Sequence, residues 1–359
     1  MKCFIFLLLS TSLLNAQSFK TKYIFVITTD GFRWQEVFTG ADAALINDNK
    51  YTADTSLAKD LYWDDLAAVR RKKLLPFFWN VIAQRGQLYG NRNLKNKMDV
   101  KNIYKISYPG YNEILTGYAD LHFIPNTPVF NKNINILETL DRQPSYAGRV
   151  VAFTSWNLFP YILNEQRNNL RVNSGFENFS EDNDSANHFI NQVQKNIISK
   201  KHTRSDWLTY LGAREYINMH HPKIVFLGLG ETDEAAHSGR YDEYLEKASM
   251  VDKMIASLWS MVQSDSMYRN RTTFIITTDH GRGKTPSTWH HHGLFTKASG
   301  ETWLAIMGPD TMPLGEMNTD QQIYSNQLAA TVAILLGEPF NPSCKIGKPL
   351  DLHAMGLAN

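Results

Sequence analysis

Three acidic residues stand just past three short apolar runs. Asp30 follows the run 23–29 and precedes Gly31, Asp233 follows 224–230 after a short turn, and Asp279 follows 273–278 and opens Asp279-His280-Gly281. A single Asp in such a place is ordinary punctuation, because Asp caps helices and begins turns. Three of them, two with histidines at ligand spacing, point to a cation. Asp233 and His237 are four residues apart, which on the first turn of a helix sets a carboxylate and an imidazole on one face. Zinc takes both oxygen and nitrogen donors. Asp279 and His280 are adjacent, and a turn at a strand end can aim both at one ion. More imidazoles stand in Trp289-His290-His291-His292-Gly293, of which only one need be a ligand; without a metal this triple is a solvated loop. A helix that starts near Pro109 sets Ser107 at its N-terminus, where the positive dipole end favours an alkoxide. With no metal nearby, Ser107 would simply cap that helix.

The elements that must position these residues are legible as alternating patterns. Apolar runs at 23–29, 149–153, 224–229, 273–278 and 303–307 alternate with helical patterns, which predicts an α/β fold with a mostly parallel central sheet and helices on both faces. In such sheets the carboxyl ends of the strands face the binding crevice, so the three carboxylates converge at one edge. Leu245, Ala248, Val251, Ile255, Leu258 and Val262 recur at helical spacing, and a second helix over 325–336 ends at Gly337. Between 119 and 205 the pattern loosens and Asn is frequent, so we expect an irregular insertion after the nucleophile helix that overhangs the site. The expected organisation is a signal peptide at 1–16 and a single catalytic domain over 17–359.

Asp30-Gly31, Asp233-x-x-x-His237, Asp279-His280-Gly281 and a later His-Gly, in that order, resemble the alkaline phosphatase superfamily, most closely its nucleotide pyrophosphatase/phosphodiesterase-like branch. The resemblance runs from Asp30 to the 325–337 helix. It implies two divalent ions, zinc above all: one held by Asp233, His237 and His292, the other by Asp30, Asp279 and His280. His292 is the histidine that precedes glycine, as the family's last one does. Ser107-Tyr108-Pro109, with Thr116-Gly117 after it, is similar to the branch's Thr-Phe-Pro-Asn-His segment followed by Thr-Gly. This implies that Ser107 is the nucleophile and a ligand to both ions. Gly110 and Tyr111 replace the Asn-His pair, so the substrate preference of nucleotide-cleaving members does not carry over. Asn126 falls where the branch has an Asn that donates to the phosphoryl oxygen, and Arg282 is a second candidate for binding that oxygen. Trp156 and Phe159 could stack on a leaving group, although core packing accounts for most aromatics in their run.

The resemblance makes the chain a hydrolase of phosphate esters, phosphodiesterase or phosphatase. A sulfatase shares the fold and metal edge, but Ser107-Tyr108-Pro109-Gly110-Tyr111 lacks the Arg of the C/S-x-P-x-R pattern. A phosphomutase needs a structured cap, for which 119–205 is too irregular. A binding protein without activity would have lost a ligand or the nucleophile, and every position is filled.

Bulk properties agree with a small-molecule or exposed phosphate-ester partner. Lys and Arg total 37 against 35 for Asp and Glu, so nothing in the charge asks for nucleic acid. Lys2, the apolar run from Cys3 to Leu14 and the small Ala16 read as a secretory signal, too short to span a bilayer, and predict a periplasmic or secreted protein. Cleavage after Ala16 leaves Cys344 as the only cysteine, which excludes an intrachain disulfide.

Overall fold

Among the described residues eleven strands are present: β1 (Tyr23–Thr29), β2 (Gly86–Tyr89), β3 (Asn96–Asp99), β4 (Val150–Thr154), β5 (Arg171–Ser174), β6 (Ile224–Leu229), β7 (Thr272–Thr277), β8 (Glu301–Thr302), β9 (Leu304–Met307), β10 (Gly315–Glu316) and β11 (Gln321–Tyr324). The computed structural model describes residues 19–122, 125–180, 185–200 and 202–352; the stretch read as a signal peptide lies outside them. Eight strands form one sheet in the order β10-β2-β9-β7-β1-β6-β4-β5, and β11-β3-β8 form a second, smaller one. From β7 to β5 every pairing in the main sheet is parallel, while β9 runs antiparallel to both of its neighbours.

β1 shows why the sheet is parallel and buried. All seven of its residues are buried, and they alternate between two cores. Phe25 and Ile27 pack into one, with the helix Tyr241–Ser264; Ile24 and Val26 pack into the other, with the helices Ser107–Thr116 and Leu328–Leu336. A strand covered on both faces needs a continuous apolar run, the pattern that marked it in the sequence. The periodic helix at 245–262 is present and longer, and Gly337 ends the last helix in the left-handed region with φ 69°.

The stretch 119–205 was expected to leave the main sheet. It returns to it twice, because the buried run Val150–Thr154 pairs with β6 and β5 then pairs with β4. The irregular portions are the loops between these strands. Among the described residues, no helix is long and apolar enough to cross a membrane.

Strand order has the main consequence for the site. β7, β1 and β6 are adjacent and parallel, with Thr28 opposite Thr277 and Thr29 opposite Leu229, so the turns after all three open at the same edge. Those turns carry Asp279, Asp30 and Asp233.

Candidate metal centre and nucleophile

The helix Glu231–His237 follows β6 and places Asp233 and His237 one turn apart, with His237 Nε2 3.0 Å from Asp233 Oδ2. His292 comes from the loop after β7 and sets its Nε2 3.0 Å from His237 Nε2. Asp233, His237 and His292 thus offer three donor atoms to one point. A second group is formed by Asp30, Asp233 and His280. His280 Nε2 is 3.4 Å from Asp30 Oδ1 and 3.5 Å from Asp279 Oδ2, so Asp279 stands beside this group as well. All six residues assigned by resemblance are brought together at one sheet edge. Asp233 goes beyond that assignment, because it belongs to both groups.

A cation suits this arrangement. Asp30 and Asp279 are buried side by side with His280, and Asp279 Oδ2 has no hydrogen-bond partner among the described residues. Like charges in a dry site repel, and a buried oxygen without a partner costs free energy. Burial, then the neighbouring Asp30, raises the Asp279 carboxyl above its ordinary range. Burial alone would lower the pKa of His280, but Asp279 and Asp30 outweigh it and raise it to about 9. Burial, and after it the charge of His280, lowers the pKa of His237 and of His292. A neutral imidazole is the form that binds metal.

Ser107 is the first residue of the helix Ser107–Thr116, after Ile106 in extended conformation, and the free Tyr108 N–H of this end is taken by Asn126 Oδ1 and not by the serine. Its hydroxyl therefore does not close the helix. Ser107 Oγ lies 3.5 Å from Asp30 Oδ1 and 3.3 Å from His280 Nε2, beside the second ligand group. Gly110 permits this approach: a side chain there would run into the backbone of Asp279. Asn126 reaches the same helix end, its Oδ1 accepting the Tyr108 N–H at 2.9 Å, so only its Nδ2 can donate to a ligand.

Arg282 is placed otherwise than expected. It is 1% exposed, and its guanidinium is spent within the protein on Gly31 O at 3.0 Å, His290 O at 2.8 Å, Asp233 O at 3.3 Å and the Asp233 carboxylate. It does not face a phosphoryl oxygen. Two contacts escaped the sequence reading. Tyr111 OH donates to Asp30 Oδ2 at 3.0 Å, and Thr232 Oγ1 donates to Asp30 O at 2.6 Å. Tyr111 is one turn beyond Ser107 on the same helix, so an i, i+4 reading from Ser107 would have found it. Thr232 had no sequence signal. Phe159 is core, packed on Tyr111 and Phe226, while Trp156 is half-buried beside Tyr111.

The histidine triple separates by geometry. His290 contributes its backbone oxygen to Arg282 and leans its ring on Tyr51, whereas His292 contributes its ring to the cluster. His290→Ala keeps the carbonyl and is expected to retain most of the activity. His292→Ala removes a donor from the first group and should lose most of it. Turnover and metal content of the two variants, measured together, check this; equal losses would show that the loop and not the ring matters.

The sequence matches the metalloenzyme superfamily model over residues 172–301, the segment that holds Asp233, His237, Asp279, His280 and His292. No curated protein matches it. The fold is similar to that of a variant of alkaline phosphatase PafA, at TM-score 0.58 and 11% identity over 92% of this chain and 98% of that one. It is also similar to inactive murine ectonucleotide pyrophosphatase/phosphodiesterase 5 in complex with AMP, at TM-score 0.54 and 14% identity over 90% and 97% of the two chains. A third likeness is to the phosphonate monoester hydrolase of Silicibacter pomeroyi, at TM-score 0.53 and 14% identity over 89% and 74%.

Proposed function

We propose that this chain, which shares the fold and the ordered ligand motifs of the alkaline phosphatase superfamily, is a two-metal hydrolase of phosphate esters with Ser107 as nucleophile. The observation that carries the reading is the position of Ser107 Oγ, at a helix N-terminus and within 3.5 Å of both Asp30 and His280. Asp233, His237 and His292 would hold one divalent ion and Asp30, Asp279 and His280 the other, with Asp233 within reach of both. Such ions, zinc by the donor set, would supply positive charge against the oxygens of an in-line displacement. Ser107 Oγ forms a bond to phosphorus as the bond to the leaving alcohol oxygen breaks, and its proton has Asp30 Oδ1 as the nearest carboxylate acceptor. Water then attacks phosphorus in line with the serine oxygen, releasing Ser107; two inversions give net retention. Asn126 Nδ2 orients a non-bridging oxygen, and Tyr111 and Thr232 fix Asp30.

The diester is the favoured substrate. A monoester dianion asks for additional cations at its third oxygen; of the three nearby cationic candidates in the sequence, Arg33, Arg282 and Lys284, the two arginines are spent elsewhere and only Lys284 is exposed. Arg282 is committed as described, and Arg33 is buried against Glu36 and Gly283 O. Trp156, half-buried beside Tyr111, offers an aromatic surface to an ester arm. Paired chromogenic substrates test this: phosphate diester should be turned over fastest, phosphate monoester more slowly, and sulfate ester least. A sulfate ester as best substrate would replace this reading with the sulfatase one. Export through residues 1–16 belongs to the same proposal, and N-terminal sequencing of protein recovered outside the cytoplasm tests it by a start near Gln17.

A further inference from the structure

We infer that Arg282 is a positioning residue of the metal centre: one buried guanidinium fork that holds the three ligand-bearing turns in register. The inference rests on Asp233, His237 and His292 holding a cation. Three segments far apart in the chain meet on this side chain. Nε takes Gly31 O at 3.0 Å, in the turn that carries Asp30. Nη1 takes His290 O at 2.8 Å, in the loop that leads to His292. Nη2 takes Asp233 O at 3.3 Å and pairs with the carboxylate of the same residue.

The geometry selects arginine. A guanidinium spreads five N–H donors over a rigid plane, whereas an ammonium has three donors at one point and cannot span three separate turns. Burying this cation is costly, and the Asp233 carboxylate with three carbonyls offsets the cost. The surrounding chain is shaped to the fork. Gly31 has φ +57°, and a side chain there would set its Cβ 2.8 Å from both Arg282 Nε and Asp233 Oδ1. The Asp-Gly pair after β1 is thus a requirement of the guanidinium as well as of the turn. At the other end of the histidine loop, Arg33 Nη1 holds Gly283 O at 3.1 Å, so the segment from 283 to 290 is tied at both ends by buried arginines.

Charge and positioning act in opposite directions, which makes the role measurable. A positive charge beside Asp233 weakens its hold on another cation, so its removal alone would tighten metal binding. Arg282→Lys keeps the charge and loses the fork; Arg282→Met loses both. We expect zinc affinity, measured by competition with a chromogenic chelator, to fall about 10–100-fold in Arg282→Lys, the range typical for residues that orient ligands. Arg282→Met should also bind more weakly than the parent, despite the lost repulsion. Thermal melting of the metal-free proteins separates this from a purely structural role, which would lower the melting temperature and leave the zinc affinity of the folded protein unchanged. Parent-like zinc affinity in Arg282→Lys overturns the inference, as does tighter binding in Arg282→Met. If Arg282→Met does not fold, Arg282→Lys decides alone. A parent that takes up no zinc would instead remove the metal reading on which the inference rests.

Discussion

Ser107→Ala is expected to fold, to bind metal like the parent, and to lose roughly a thousandfold or more of its turnover, as loss of a tethered nucleophile does. The substitution removes a hydroxyl that neither caps its helix nor satisfies a buried group alone. Its neighbours Asp30 and His280 keep other partners: Tyr111 OH on Asp30 Oδ2 and Gly281 O at His280 Nδ1. The helix itself is buried over all ten residues, and Ala suits it at least as well as Ser. Loss of activity with fold and metal intact therefore isolates the chemistry. Ser107→Thr should retain more activity than Ser107→Ala, since it keeps the hydroxyl at the same place. Steady-state turnover beside metal content in the three proteins is the measurement. Parent-like turnover in Ser107→Ala would mean that water attacks phosphorus directly and that the serine is a bystander.

Asp233→Asn is expected to remove nearly all bound metal, with activity falling to background. The parent should carry about two divalent ions per chain, as two-metal hydrolases do. Asp233 is common to both donor groups, with one oxygen toward His237 and the other within 3.9 Å of His280 and 3.8 Å of His292. The amide is isosteric, so shape is preserved while the negative charge is lost. That charge also balances Arg282, so the variant should be less stable when metal-free, through an unpaired buried guanidinium. His237→Ala is the comparison, since it touches one group only and should leave about half of the metal. Elemental analysis of untagged protein reads both outcomes. A variant Asp233→Asn that keeps the parent's two ions would show that the carboxylate is structural.

The sequence alone determined what depends on short spacing. Asp233 and His237 share a face because a helix repeats every 3.6 residues, and Asp279 and His280 share a turn because they are neighbours. The strands were legible because a sheet covered on both faces needs unbroken apolar runs, as in β1. Ser107 could be placed at a helix end from Pro109 onward. The tertiary structure decided whatever depends on contacts between distant segments. Ser107 meets Asp30 across 77 residues, and Arg282 meets Gly31 across 251. Neither local periodicity nor composition records such a pair. Arg282 in particular reads from the sequence as a free cation beside a metal motif; only packing shows it buried and committed. Val150–Thr154 was legible as an apolar run, but its place in the sheet, beside β6, was decided only by packing. Most of all, the sharing of Asp233 between two donor groups follows from the order β7-β1-β6. Strand order is set by which faces can be buried together, a property of the whole chain and not of any segment.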